Sequence, residues 1–509
     1  LSTLEANSAH AIGRWQSRLA RVNSRGRLVY QADASGNQIP DFSHAGYRGG
    51  GQEPPELPTV ATIRPVDGDN TAHLQAALDA VGVRPKDANG HRGALLLEAG
   101  TYRVAGTVRL RHSGVVIRGV GDDEDPATNT VIRATGDTPT HRDVLVVGSG
   151  ANTQWRGEKP NTRTNVTSDL VNVGQREFDV ADGSKFRQGD NVILVHPCTA
   201  EWLQAVDGGA TGIDEPWSVG SQPITYNRFV TDVDGNHVTV DAPVFNHLDR
   251  SLAQTTIHTW DRASLVTESG VENLRIHIEF AGDPDVDEAH AWVAVRLRGL
   301  EDGWVRGCTF RHFAKAGVET NETTRVTVSD CRALDPASII TGGLRYNFNT
   351  EGFSQHILFQ DCYATKARHA FISNGTSGAS GIVFLRGTSA GSLASSEGHR
   401  RWSQGMLFDN HREVAPAVQI TLGLYNRGDY GTGHGWATVH SVAWNCDLAG
   451  RTLVVQRPPT GQNYAIGCRG IVTGDGPFDH PTGHIEGANR PGLTPGSLYE
   501  AQLAARLRG

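Results

Sequence analysis

Residues Gly93 to Gly121 read GALLLEAGTYRVAGTVRLRHSGVVIRGVG. Val108 alternates with Leu110 and Val115 with Ile117, and glycines punctuate each run, which is the period-two pattern of short strands. Just upstream, Gly68 to Gly82 reads GDNTAHLQAALDAVG. There Leu74, Ala77, Leu78 and Val81 recur at helical spacing and share one face, with Asp69, Asn70 or Thr71 placed to cap the helix. A helix followed by short strands at near-regular spacing predicts a solenoid.

An internal repeat in the second half supports this reading. GWVRGCTF, RVTVSDCRA, HILFQDCYA and GIVFLRGTS align on Cys308, Cys331, Cys362 and Gly387, with spacings of 23, 31 and 25 residues. SVAWNCDL and NYAIGCRG align on Cys446 and Cys468, 22 apart. The repeat predicts a ladder of small buried thiols on successive coils rather than disulfides, with Cys198 a lone buried thiol outside it. No CxxC occurs, so a zinc site is not expected.

The rest of the chain surrounds that solenoid. Residues 1–60 form an extension that opens on LSTLEANSAHAIGRWQSRLARVN, an expected amphipathic helix capped by Ser2 and anchored by Leu4, Ile12, Trp15 and Leu19. The solenoid spans 61–472. Between about 150 and 260 its pattern breaks into strands joined by an Asp234–Gly235 turn, read as a β-rich insertion on one side. Residues 473–509 form a Gly- and Pro-rich tail ending in LYEAQLAARLRG, a helix expected to cap the last coil. The fold class read from the residues is therefore all-β: a solenoid of short strands with an N-terminal helix and an extra β insertion.

These motifs resemble the pectate-lyase-like superfamily, carried by GDNTAHLQAALDAV, GALLLEAGTYRV and SGVVIRGVG, and the resemblance implies that the solenoid is a single-stranded right-handed parallel β-helix whose N-terminal end the helix caps. The later segments SSEGHRRWSQGMLFDN and NRGDYGTGHGWATVHSVAWNC look like a bacterial polysaccharide lyase branch. The resemblance implies an enzyme acting on a glycan, since the superfamily holds lyases, hydrolases, epimerases and phage tailspikes. It also leaves calcium open, because some of its lyases use that ion. The acids Asp283, Asp285, Asp287 and Glu288 cluster here, but without the EF-hand pattern, so no cofactor or metal is expected.

The net charge is −8, from 47 basic and 55 acidic residues, which argues against a nucleic-acid partner. No run approaches the ~18 apolar residues of a membrane span. Against that background, Cys362 to Phe408 holds Lys366, Arg368, Arg386, Arg400 and Arg401 against the single acid Glu397. A basic island on an acidic protein points to an anionic ligand. β-Elimination of a uronate polymer needs a carboxylate neutraliser, a base and an acid. EGHRRW supplies His399 as base and Arg401 as neutraliser, which would share a face if the segment were a strand.

Tyr346 is the candidate acid. Arg345 is its partner, lying 14 residues past Cys331 as Arg401 lies 14 past Gly387. Lys366, Arg368, His369, Arg400, Trp402, His411, Arg427, His434 and Trp436 are the candidate substrate-binding residues, with the tryptophans as stacking platforms for sugar rings. The expected function is a secreted (extracellular or periplasmic), monomeric lyase cleaving alginate, a glycosaminoglycan or a pectin-like polymer. The alternatives are a glycoside hydrolase using acids such as Glu319, Asp335 or Asp361, and a non-catalytic, tailspike-like glycan binder.

Overall fold

The computed structural model describes residues 13–508 apart from 139, 151–154, 156, 214 and 215. The helix Thr71–Gly82 forms as its periodicity requires, burying Leu74, Leu78 and Val81 against the first strands of the coil. From there the chain winds through three ladders of parallel strands. The first runs from Thr59–Ile63 to His484–Glu486 and includes Thr324–Ser329, Gln355–Gln360, Ser380–Leu385 and Ser403–Asp409. The second starts at Gly100–Val104 and passes through Arg332–Leu334, Tyr363–Thr365 and Thr388–Ala390. The third starts at Val108–Leu110 and passes through Phe348–Thr350, Phe371–Ser373, Ser396–Gly398 and Ile420–Leu424. The second and third ladders merge on the long strand Asp447–Val455. This is a right-handed parallel β-helix, the hand that twisted parallel crossovers favour.

Identical positions on successive coils stack, so the interior fills by columns. Phe348 lies on Phe371 with centroids 5.3 Å apart, and Phe359, Phe384 and Phe408 follow one another at 5.2 and 5.0 Å. These spacings track the ~4.8 Å between strands. Five cysteines, Cys308, Cys331, Cys362, Cys446 and Cys468, form another column just before the second ladder; Cys198 lies apart in the insertion, and all six are free and buried. Each ladder thiol donates to a carbonyl of the coil before it, Cys362 to Val328 at 3.5 Å and Cys446 to Phe408 at 3.3 Å. His411 stands in this same column, directly before Arg412, which pairs with Thr388 and Asp447. Its ring packs on Phe371 and Phe408, and its Nε2 bonds Glu413 at 2.8 Å. His411 is an interior residue, not a groove residue.

The insertion is an antiparallel sheet with Asn191–His196 between Ile224–Asp234 and Thr256–Thr259, and its hairpin turns at Asp234 and Gly235 as expected. It covers the outer face of the first ladder. Trp202, Trp217, Tyr226 and Phe245 share one apolar cluster with Leu358, Val383 and Leu407.

Two terminal expectations are corrected. Ser2, Leu4 and Ile12 lie outside the described residues. The segment that follows is a hairpin, not a helix: Ala20–Val22 pairs with Leu28–Tyr30 across a turn in which Asn23 Oδ1 accepts from the N–H groups of Arg25 and Arg27. The Asn-Ser-Arg-Gly turn, and Trp15 anchored on the Arg490 carbonyl, override the helical pattern. The C-terminal helix Leu498–Arg508 forms, but it lies along the flank of the coil rather than over its end. Tyr499 N–H donates to Asp409, Glu500 pairs with Arg386, and Gln502 donates to the Pro40 carbonyl.

Candidate active site

Four successive coils of the third ladder bring polar groups to one place. Tyr346 and Arg368 come from the corners that lead into Phe348–Thr350 and Phe371–Ser373, while His399 and Arg427 lie just past Ser396–Gly398 and Ile420–Leu424. Together with Arg400, Asn374, Tyr430 and His434 they line a cleft of about 610 Å³. Gly342 and Gly343 form one wall and Gly431 and Thr432 the other.

At its floor, Tyr346 Oη lies 3.1 Å from His399 Nε2. The same hydroxyl lies 3.2 Å from the Gly342 carbonyl and accepts from Arg368 Nη1 at 3.2 Å. His434 Nε2 is 3.2 Å from His399 Nε2. His369 sits behind, its Nδ1 bonded to the Ser395 carbonyl at 2.6 Å and its ring 4.8 Å from that of His399.

Beneath His399 lies Glu397, fully buried. Its carboxylate accepts from His399 Nδ1 at 2.7 Å, Arg427 Nη1 at 2.9 Å and Ser395 Oγ at 2.5 Å. Tyr425 covers it, occupying space that a side chain on Gly423 would fill, since a Cβ there would come within 2.3 Å of the ring. The carboxylate is acceptor-only, so it holds the Nδ1 proton, and the Nε2 lone pair faces Tyr346 Oη, His434 Nε2 and Arg427 Nη1 at 3.1, 3.2 and 3.2 Å. Burial first, then Arg427, His434, Arg368 and Arg400, push the His399 pKa well below its usual value, so the ring is neutral. Burial likewise drives His434 down to about 3. Burial raises Tyr346 above the ordinary phenol value, so its hydroxyl keeps its proton.

The structure therefore gathers Tyr346, Arg368, His399, Arg400, Arg427 and His434, with His369 supporting them from behind. Other expected residues lie elsewhere. Arg401 turns to the Thr432 carbonyl and to Thr432 Oγ1 at 3.1 Å, so it ties down a wall of the cleft. The strand ends at Gly398, and Arg401 and Trp402 take positive φ of 57° and 68°, so alternation along a strand does not apply to them. Trp402 is core, edge-on to Trp202 and Trp217, with its Nε1 on Asn246 at 3.0 Å. Trp436 is also buried, packed on His480. Arg345 points away from the cleft and donates to the carbonyls of Ser338 and Pro284 and to Asp285. Its equal offset with Arg401 is accidental, because it precedes a third-ladder strand whereas Arg401 follows one. Lys366 is exposed and paired with Asp335 at 3.3 Å.

Glu397 was legible in the sequence only as the lone acid of the basic island. Its alternation with Ser395 and His399 in SSEGH is the signal that places all three on one face. None of the proposed hydrolase acids lines the cleft: Glu319 is buried against Arg296 and Lys315, Asp335 pairs with Arg311, and Asp361 with Arg386.

In the acidic loop the aspartate carboxylates are engaged by neighbouring N–H groups and by Arg345. Asp287 accepts from the N–H groups of Gly282 and Ala289, Asp283 accepts from Asp285 N–H, and Asp285 is held by Arg345. His369, Glu397 and His399 offer ligand atoms within 4.8 Å of one another. There, however, the Arg427 guanidinium already lies against both Glu397 and His399, which disfavours a second cation. No helix is long and apolar enough to cross a membrane among the described residues.

No protein-family model matches the chain, and no curated protein matches it in sequence. Among solved structures it is similar to the tailspike protein gp49 from Pseudomonas phage LKA1, with 14% identity over 79% of this chain and 56% of that one, TM-score 0.41. It is also similar to alginate lyase from Paenibacillus sp. str. FPU-7, with 9% identity over 86% and 99%, TM-score 0.42. The tailspike of E. coli bacteriophage HK620, in complex with a pentasaccharide, gives 11% identity over 92% and 69%, TM-score 0.38. The chain spans 56% of the LKA1 tailspike and 60% of the Geobacillus virus E2 ORF18 protein. At these identities and TM-scores none of them carries an argument about activity.

Proposed function

We propose that this protein is a polysaccharide lyase that cleaves a uronate-containing glycan by β-elimination, acting outside the cytoplasm, where such polymers occur. The observation that carries the reading is a neutral imidazole and a protonated phenol 3.1 Å apart in a cleft lined by three arginines. The uronate carboxylate rests against Arg368 and Arg400, whose charge stabilises the anion that develops as the C5–H bond breaks. His399 Nε2 takes that proton, and the electron pair becomes the C4=C5 double bond. As the C4–O4 bond breaks, Tyr346 gives its proton to O4. The imidazolium, steadied by Glu397, then returns a proton to the phenolate across the short gap, and both groups are reset. Glu397 is a positioning residue in this scheme, because it touches His399 and not the sugar.

Base and acid this close approach the sugar from one side, so H5 and O4 depart from the same face. Glucuronate and mannuronate carry both on one face, whereas galacturonate does not. The test is incubation with hyaluronan, chondroitin, alginate and polygalacturonate while following the ultraviolet absorbance of the unsaturated product. Absorbance should grow with a gluco- or manno-configured substrate and not with polygalacturonate. New reducing ends without absorbance on any of them would overturn elimination.

A further inference from the structure

A second cleft of about 510 Å³ lies beside the first, and Pro336–Tyr346 is the partition between them. Pro336, Ile340 and Arg345 face the second cleft, while Thr341, Gly342, Gly343 and Tyr346 face the first. The turn into Phe371–Ser373 divides the same way, with Lys366 on the second side and Arg368 on the first. Adjacent residues thus serve adjacent cavities.

The chemistry of the two differs. The first is lined by Arg368, Arg400 and Arg427 with no carboxylate among its lining residues; Glu397 holds Arg427 at 2.9 Å and Glu351 lies 3.8 Å from Arg400, both from behind the lining, and among the described residues Arg368 has no carboxylate in ion-pair reach. In the second, two carboxylates line the wall and hold its three cations: Asp335 is shared by Arg311 at 2.9 Å and Lys366 at 3.3 Å, and Asp285 holds Arg345 at 2.8 Å. His312 is kept neutral there by burial, its pKa down to about 4. Phe280, Pro336, Ile340 and Leu393 supply apolar surface. Carboxylates side by side with an ammonium offer acceptors and donors together, which suits hydroxyl groups, while carboxylates in the wall repel an added anion. Apolar walls with a few convergent polar groups are the usual make-up of a subsite for a neutral ring.

We propose that this second cleft is a subsite for an uncharged sugar of the same chain whose uronate sits between Tyr346 and His399. The substrate is then a mixed polymer, in which neutral sugars flank the acidic unit, rather than a homopolymer of uronate. The inference rests on the lyase reading only for which unit occupies the first cleft.

The test is calorimetric titration of the full chain with oligosaccharides of equal length from hyaluronan, chondroitin and mannuronan. It is run on His399→Ala, which removes turnover, and repeated as KM on the protein with His399 intact. Lys366→Ala and Ile340→Ser are then added together. Lys366 is 67% exposed and Ile340 44%, so neither change disturbs the core. At least one mixed oligosaccharide should bind about tenfold more tightly than mannuronan, and the double substitution should remove about that factor while leaving mannuronan nearly unchanged. Equal or tighter binding of mannuronan would overturn the proposal, as would a double variant that keeps its affinity for the mixed chains. Binding that depends on Lys366 and Ile340 but yields no unsaturated product would remove the lyase reading and leave the subsite standing. Failure of every acidic oligosaccharide to bind would remove both.

Discussion

Replacing Glu397 by Gln keeps the outline of the side chain and deletes its charge, at a position where nothing is exposed. The native carboxylate accepts from Ser395, His399 Nδ1 and Arg427, all within 2.9 Å. Gln presents an N–H₂ that can turn toward His399 Nδ1, which moves the imidazole proton to Nε2 and removes the lone pair that would take the C5 hydrogen. On the scale of a misoriented general base, turnover should fall by about 10²- to 10⁴-fold. Leaving Arg427 without its buried partner should cost about 3–5 kcal/mol of stability, lowering Tm in parallel. The assay is therefore initial rate of unsaturated product at several pH values, on protein shown by thermal unfolding to be folded at the assay temperature. Loss of the neighbouring negative charge also lowers the His399 pKa further, so the acid limb of the residual activity should move to lower pH, which a merely structural defect would not do. Ser395→Ala is the comparison, since it removes one neutral hydrogen-bond donor and should cost about 1 kcal/mol with little change in rate. A Gln variant turning over within about threefold of the native protein, with an unmoved profile, would refute the assignment of His399 as base.

Other outcomes follow from the same geometry. Because the His399 pKa lies below ~6.5 and that of Tyr346 above ~10, kcat/KM should hold a plateau that extends past both ordinary values; a rate that climbs through pH 6.5 would contradict a neutral His399. Asp409, which accepts from Ser497 and from Tyr499 N–H at the start of the C-terminal helix, has its pKa pushed up to about 7 by burial. A raised carboxyl pKa means the folded state binds the extra proton, so this contribution is full below ~pH 4 and is lost as pH rises through about 7, by up to ~4 kcal/mol. Urea unfolding at pH 5 and pH 8 should show about 3 kcal/mol of that loss, the part that falls between those two pH values, and Asp409→Asn should abolish it. Trp402→Ala should cost about 3–5 kcal/mol by emptying a core site; a strong loss of substrate affinity with unchanged Tm would instead restore Trp402 as a stacking platform.

Much of the coil was readable in advance because its signals are local and repeated. The helix Thr71–Gly82 carries its own periodicity, and the cysteines mark one interior position on coil after coil. His399 and Arg368 are legible by residue type within the basic island, and Tyr346 and Arg427 by residue type on segments to either side of it. What failed was inference about direction. Arg401 and Trp402 sit past the end of a three-residue strand with left-handed backbone, so alternation from His399 forward had no meaning, while alternation backward reached Glu397. Arg345 and His411 show the complementary difficulty. A buried guanidinium satisfied by carbonyls, and an imidazole satisfied by Glu413 inside the coil, have the same sequence signature as groove residues, and only packing separates them. The N-terminal segment turned on competition between an amphipathic pattern and a strong turn, which a single sequence does not weigh.

Because Tyr346, Arg368, His399 and Arg427 belong to four consecutive windings, their separations along the axis come in steps of one strand spacing, ~4.8 Å. Relocating a reactive group to the next winding is therefore a jump, and finer adjustment is left to the corner segments around Gly342 and Gly431. Variation among proteins built this way should accordingly concentrate in corner length and composition, while the number of windings between acid, base and guanidinium stays fixed.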